Sequence, residues 1–254
     1  MATEYGGYMG KILLIDLTTE TTEEYPFTDQ QRRETLGGKA LAYRILADQV
    51  TGKESAFSEE NLLILSTGPF TGTGAPGSIR FDITALSPKT GLPSSSNCGG
   101  SFGLYLKKAG YDALILSGRC NAHRWLEICQ DQIRFHDADD LWGKGTTECR
   151  QLLTRLLNYN SYSSLCKPAS GNFDFPDFSH TNAPQQHRYE TESGRLLKIG
   201  KRSSDLEQYL NYKFHKKMKL PKHLRNVDPE AYYKARGWDK NGVPSKFVYT
   251  PDSQ

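Results

Sequence analysis

The chain has 254 residues, a formal net charge of +3 and five cysteines. This length fits one large domain or two small ones, and so small a net charge does not by itself indicate a nucleic acid or a membrane surface as the partner. The cysteines are scattered without C-x-x-C spacing, which is typical of reduced thiols. The N-terminus lacks a basic start, and its apolar run of about six residues is too short for a signal peptide or a membrane span. We therefore expect a soluble, cytoplasmic protein.

Apolar periodicity predicts an α+β domain in the first 158 residues. A polar turn is expected at Thr18–Thr22, between the first predicted strand and the first predicted helix. The predicted strands are Lys11–Leu17, Asn61–Ser66, Ile79–Ala85, Tyr111–Ser117 and the hairpin of Arg124–Cys129 with Gln132–His136, turning at Gln130-Asp131. The predicted helices are Asp29–Thr35 with Thr28 or Asp29 as its N-cap, Lys39–Val50, Leu104–Ala109 and Thr146–Leu157.

The character of the sequence changes after Asn158. Residues 159–194 are rich in Ser, Asn, Pro, His and Phe without a clear period, which predicts a loop or linker. Residues 195–225 contain ten Lys or Arg and two acids. Their apolar positions predict a basic helix whose apolar stripe comprises Leu196, Leu197, Ile199, Leu206, Tyr209 and Leu210. The segment from residue 231 onward is predicted to be an extended tail, with stops at Gly237 and Asn241-Gly242.

Glycine is concentrated between Gly68 and Gly118, where ten of the chain's 23 glycines fall. Such density indicates either tight turns or backbone that closely approaches a ligand. In the predicted strand after the first glycines, Arg80, Asp82 and Thr84 alternate with apolar residues and share the polar face. A solvated or salt-bridged role for Arg80 and a ligand-binding role both remain open on this pattern.

Other catalytic patterns are missing from the sequence. The histidines show neither H-x-x-x-H nor H-E-x-x-H spacing, and G-x-S-x-G and Walker A patterns do not occur. His180 and His187 lie in the predicted loop and are weak candidates for a metal site.

Six ordered blocks in the first 157 residues resemble the N-terminal domain of the aldehyde ferredoxin oxidoreductases, which are tungsten-pterin enzymes. The blocks are GKILLIDLTT, LGGKALAYRIL, NLLILSTGPFTGTGAPGSIRF, SPKTG, SNCGGSFGLYLKKAGYDALILSG and LWGK. Gly194–Asn211 and Tyr232–Pro244 resemble the C-terminal end of the family, and Asn160–Cys166 resembles the segment with its last cluster cysteine. The resemblance implies a pterin-platform domain over 1–158 and a short C-terminal remnant over 159–254, with the family's middle missing.

The resemblance also implies the residues of a site. In the family, a base of two β-sheets carries a tungsten bis-pterin cofactor. Arg80 matches an arginine that contacts the pterin, and a guanidinium suits a phosphate or a pterin edge. Asn97, Gly99 and Gly100 match residues that approach the cofactor through amide and backbone groups. Lys39 stands in GGKA where the family has an arginine. The positive charge is therefore kept, but the planar guanidinium that can donate two parallel hydrogen bonds is not.

An iron–sulfur cluster of the family type needs four thiolates, and only Cys166 matches a cluster position. We therefore expect no [4Fe–4S] cluster, with Cys166 at most a relic ligand. No catalytic residue is assigned, because the acid and histidine beside the metal belong to the missing middle.

The family reaction oxidises an aldehyde to a carboxylic acid and passes electrons through the cluster to ferredoxin. The resemblance thus predicts a protein that supplies the pterin platform and is catalytically incomplete alone. The alternative is a non-catalytic interaction or scaffold protein, or the remnant of an internally deleted enzyme. The expected partners are ferredoxin, a second copy of the chain or a complementary subunit. We expect neither a membrane nor a nucleic-acid partner, since the basic run over 195–225 is better explained as a solvated helix face.

Overall fold

A six-stranded mixed sheet forms the centre of the structure, which is a computed structural model describing residues 6–129, 132–157, 205–214 and 228–244. The strands are β1 (Ile12–Asp16), β2 (Thr21–Tyr25), β3 (Leu63–Thr67), β4 (Phe81–Leu86), β5 (Pro93–Cys98) and β6 (Ala113–Ser117). They lie in the order β2-β1-β6-β3-β4-β5, with β1 and β6 parallel and every other neighbouring pair antiparallel. A separate antiparallel hairpin pairs β7 (Arg124–Cys129) with β8 (Gln132–Asp137).

The first and the last of the helices begin where the local sequence provides a side-chain cap. Thr28 forms a capping box with Gln31 at the start of the first helix, and Asp228 and Pro229 begin the last one. The helices are α1 (Asp29–Thr35), α2 (Gly38–Gln49), α3 (Phe102–Lys108), α4 (Thr146–Leu157), α5 (205–213) and α6 (Pro229–Arg236).

Both faces of the large sheet are covered. On one face, α2 packs against β3 and β4, and α5 joins the same core through Leu206, Leu210 and Phe214. On the other face, α3 and the hairpin pack on residues such as Leu65 and Leu114. Strands that are buried on both faces read as continuous apolar runs, which explains the ILLI and LIL segments of β1 and β3.

The expected α+β class with two sheets is confirmed. The predicted helices and strands of the first domain are found within a few residues of their expected bounds. Two strands were missed. β2 (TTEEY) is mostly exposed, the interior of β5 (PSSSNC) is polar, and neither strand shows apolar alternation.

Two further expectations need correction. The segment from residue 231 was expected to be extended, but α6 is helical up to Gly237, whose left-handed conformation ends it. The expected polar face of β4 is solvated only in part. Thr84 is fully buried and lies 3.1 Å from the Ser95 hydroxyl, because α2 covers that face. The predicted loop over 159–194 and the turn at Gln130-Asp131 lie outside the described residues.

No helix within the described ranges is long and apolar enough to cross a membrane.

Candidate cofactor-binding site

A pocket lies where the start of α2 meets the end of β3 and the glycine-rich loop that follows it. Its volume is about 360 Å³, which falls in the lower range for small-molecule sites. The lining residues are Leu36, Gly37, Gly38, Lys39, Ala40, Gly68, Pro69, Phe70, Thr71, Gly77, Ser78, Arg80 and Asp82.

Two glycines allow the first turn of α2 to enter the pocket. Gly37 has φ +135°, and a Cβ there would lie 2.4 Å from the Thr67 carbonyl oxygen. Gly38 has φ +54°, and its Cβ would lie 2.9 Å from the Asp82 carboxylate. The start of α2 has no side-chain cap and no acidic residue in its first turn. Its first N–H groups lack intrahelical partners, and they carry the positive end of the helix dipole, which favours an anion.

The glycine-rich loop is anchored at its beginning by a buried ion pair. The Asp112 carboxylate accepts bonds from Lys107 Nζ and from the Met9 and Gly10 N–H groups. Its backbone carbonyl accepts the Thr67 N–H and hydroxyl at 3.0 and 2.7 Å. Burial lowers the pKa of Lys107, opposed by the charge of Asp112. These contacts fix the point at which the chain leaves β3 and enters the loop.

Within the loop, the hydroxyl of Thr71 accepts the Gly68 N–H and donates to the Arg80 carbonyl, both at 3.3 Å. Gly74 and Gly77 have positive φ values of 82° and 73°, and a Cβ at either position would meet no atom within 4 Å. The loop therefore returns towards β4 while its backbone stays open to a bound molecule.

A polar network crosses from β4 to β5 at the edge of the pocket. Asp82 and Asn97 lie directly opposite each other in the two strands. The Arg80 guanidinium donates to the Asn97 side-chain oxygen, and the Asn97 amide donates to Asp82 at 3.3 Å. The network orients an exposed cation and a carboxylate at one wall of the pocket. Burial raises the pKa of the neighbouring Cys98 thiol, the Arg80 charge lowers it and the Asp82 charge raises it, so the thiol stays protonated at neutral pH.

A second cation reaches the pocket from α2. The Lys39 ammonium lies 2.8 Å from the Glu207 carboxylate of α5 and 5.0 Å from the centre of the Tyr43 ring. Tyr43 is 1% exposed. Burial raises the pKa of Tyr43 above its usual range, and the carboxylates of Glu207 and Asp82 raise it further. Its hydroxyl thus stays protonated throughout the physiological range.

The structure brings three of the five predicted cofactor-binding residues together. Lys39 and Arg80 line the pocket, and Asn97 holds Arg80 from the neighbouring strand. Gly99 and Gly100 follow β5 directly and do not line the pocket. Cys166, His180 and His187 lie outside the described residues.

Two charged residues at this site were not singled out from the sequence. Asp82 was expected only as part of a polar strand face, and its alternation with Arg80 was the available signal. Glu207 carried no local signal, since it lies 168 residues from Lys39.

The described parts of the chain contain no group of three or more His, Cys, Asp or Glu side chains that could hold a metal ion.

The fold and the pocket together define an α+β domain in which a mixed sheet presents an open glycine-rich loop, a helix N-terminus and two cations. The sequence profile described as "Aldehyde ferredoxin oxidoreductase, N-terminal domain" matches residues 12–172. The chain belongs to the aldehyde ferredoxin oxidoreductase family.

Curated relatives match the same part of the chain. A tungsten-containing aldehyde ferredoxin oxidoreductase of Pyrococcus abyssi is 38% identical over 147 residues, which cover 58% of this chain and 24% of the relative. A protein of Pyrococcus furiosus named "Aliphatic sulfonate oxidoreductase, WOR-like subunit" is 34% identical over 151 residues, with 58% and 24% covered. The chain thus spans about a quarter of the length of these relatives.

A solved structure with a similar fold is the active site complex BamBC of benzoyl coenzyme A reductase, in complex with 1,5-dienoyl-CoA. The TM-score is 0.59 at 35% sequence identity, and the match covers 60% of this chain and 23% of that chain.

Proposed function

We propose that this chain binds a pterin cofactor in the pocket between α2 and the glycine-rich loop, and that it forms the floor of an aldehyde-oxidising site of the tungsten-pterin type. The observation that carries the proposal is the convergence of Lys39, Arg80 and the start of α2 on one open loop, in a chain whose family is named for such enzymes.

The residues present fit the chemistry of a phosphate-bearing pterin. A phosphate suits the Arg80 guanidinium, the Lys39 ammonium and the first N–H groups of α2. The ring of a pterin carries amine and N–H donors as well as acceptors, and the Asp82 carboxylate and the loop N–H groups can pair with them. Glycines without any atom within 4 Å of a would-be Cβ leave room for the ring to approach the backbone.

When bound, a tungsten-pterin group supplies the redox chemistry of aldehyde oxidation. The part played by this chain is to hold and orient the group: Arg80 is fixed by Asn97, and the loop is fixed by Thr67 and Thr71. Preorganised donors cost little ordering entropy on binding. The groups that cover the pocket, and any electron relay to ferredoxin, would come from parts of the protein or from partners outside the described residues.

The test is cofactor retention. The chain is produced in a host that makes the pterin, with tungstate in the medium, and purified protein is assayed for tungsten by mass spectrometry and for pterin by fluorescence after oxidation. We expect both in the wild type, and about a tenfold or larger loss of pterin in Arg80→Ala, the effect of removing one charge-assisted hydrogen bond. Wild-type protein with neither tungsten nor pterin would refute the proposal.

Arg119→Ala is the matched control. Arg119 is an exposed arginine that follows the C-terminal end of β6. The pocket lies near the opposite end of that strand, because Thr67, at the end of β3, bonds to Asp112, just before β6 begins. Its substitution should leave the pterin content unchanged. Equal losses in Arg80→Ala and Arg119→Ala would point to general loss of positive charge instead of a specific contact.

A second candidate function, that of a non-catalytic interaction protein, is favoured by apolar side chains beside the pocket. Phe70 is 48% exposed and Ile79 is 47% exposed. Two of the matched proteins are described as a subunit or a complex. If the chain acts by association, Phe70→Ser with Ile79→Ser should convert an oligomer or complex to monomer in sedimentation velocity. A wild-type monomer that already retains pterin would exclude this function.

A further inference from the structure

The cation of Lys39 is engaged by a residue from the far end of the chain. Glu207 lies on α5 and contacts Lys39 across 168 residues of sequence, at 2.8 Å. The two side chains are 41% and 35% exposed. Ion pairs at that exposure contribute little net stability, so a ligand can replace either partner at small cost.

The position of Glu207 is fixed by packing on both sides of it. The preceding Leu206 and the nearby Leu210 are 5% and 0% exposed and belong to the core that α2 also forms. Asp205 accepts bonds from Arg236 and Trp238 at 3.2 and 2.9 Å, which ties α5 to α6. The carboxylate of Glu207 is therefore held beside the first turn of α2 by the fold.

The charges of the pocket balance only when α5 is counted. Lys39 and Arg80 are the two cations that line the pocket, and Asp82 is the carboxylate among the lining residues. Glu207, which is paired with Lys39, adds a second carboxylate. The two cations of the pocket are then matched by two carboxylates, and no excess positive charge remains. An anion entering beside α2 meets a cation that is already paired.

We propose that Glu207 is a specificity-determining residue of this pocket. Its carboxylate forms an ion pair with Lys39 and thereby lowers the affinity of the N-terminal end of α2 for phosphate groups. A phosphate-bearing ligand that binds there displaces the carboxylate from Lys39. This inference rests on the proposed function, since it concerns the same pocket and the anionic part of the same class of ligand.

The experiment measures binding of inorganic pyrophosphate by isothermal titration calorimetry to wild type, Glu207→Gln and Glu230→Gln. Removing one like charge a few ångströms from a bound anion at a partly exposed site should lower the Kd about tenfold in Glu207→Gln. Glu230→Gln removes the same charge from an exposed residue of α6 and leaves intact the Asp205 bonds that hold α5 in place, so its Kd should stay within about twofold of wild type. Equal Kd values for wild type and Glu207→Gln, or no binding by either, would overturn the inference.

A second readout follows Lys39 itself. The rate of Lys39 acylation by acetic anhydride, measured by peptide mass spectrometry, should rise in Glu207→Gln, and pyrophosphate should slow it again. Lys213, which bonds to the Ala47 carbonyl at the same interface, is the internal control. A parallel rise at Lys213 would show that α5 has merely loosened and would contradict a specific role for Glu207. Failure of these tests leaves pterin retention by the wild type as a separate result, so the two proposals can fail independently.

Discussion

Replacing Leu210 by alanine tests whether the C-terminal segment is part of the platform fold. Leu210 is 0% exposed and lies in the core formed by α2, β3 and β6. A Leu-to-Ala change at a fully buried site removes the transfer free energy of the side chain and leaves a cavity, at a cost of about 2–5 kcal/mol. At an m-value of about 2 kcal/mol/M in urea, the midpoint should fall by about 1–2.5 M.

The assay is urea unfolding followed by circular dichroism and by tryptophan fluorescence. Leu156→Ala is the matched control, since Leu156 is 66% exposed on α4 and its loss should change the free energy of unfolding by no more than about 0.5 kcal/mol. A midpoint for Leu210→Ala that equals the control would refute the packing of α5. A separate early transition for α5 would show that it unfolds independently of the sheet.

Three further changes probe the supports of the fold. Asp112→Ala leaves the Lys107 ammonium buried without its partner and should cost about 3–5 kcal/mol in thermal or urea unfolding; a loss below about 1 kcal/mol would contradict the role of this pair. Thr28→Ala removes the capping box of α1 and should cost about 1 kcal/mol, whereas Thr28→Ser should restore most of it. Burial raises the pKa of Glu54, but the hydrogen bonds that its carboxylate accepts, chiefly from the Thr51 N–H and hydroxyl and also from the Gly52 N–H, together outweigh burial and lower the pKa below 4.5. The unfolded state therefore binds more protons in the window below pH 4.5. Stability from Glu54 is present above that pH and lost as the pH falls through the folded pKa, so Glu54→Gln should flatten this part of the acid-unfolding curve.

Much of the fold could be predicted because local signals agree with tertiary packing. The apolar runs of β1, β3 and β6 are long enough to be buried on both faces, and the helical spacing of Leu41, Ile45 and Leu46 places one side of α2 in the core. Capping chemistry placed the N-cap of α1 at Thr28 or Asp29, and the structure has it at Thr28.

The elements were missed for two different reasons. The PSSSNC segment of β5 has weak strand character on its own and takes its conformation from its ladder with β4. The caps of α6, Asp228 and Gly237, were present in the sequence, but Gly237 and Asn241-Gly242 were interpreted as stops within an extended chain.

The candidate site also contains residues that could be predicted from the sequence and residues that could not. Lys39 and Arg80 could be placed near glycine-rich turns from the sequence and from the family resemblance, and both line the pocket. Asn97 could be named, but its contact with Arg80 depends on the register of two strands. Glu207 could not be predicted, because an ion pair across so many residues leaves no periodic trace.

The seating of α5 on α2 has a consequence for synthesis of the protein. The contacts between these helices join residues 166 and 168 positions apart, and closing so long a loop is slow compared with local pairing. In a nascent chain, the apolar face of α2 would stay exposed until residues 206–214 have been synthesised and can pack on it. Closure of the α2 core should therefore be a late step in the folding of this polypeptide.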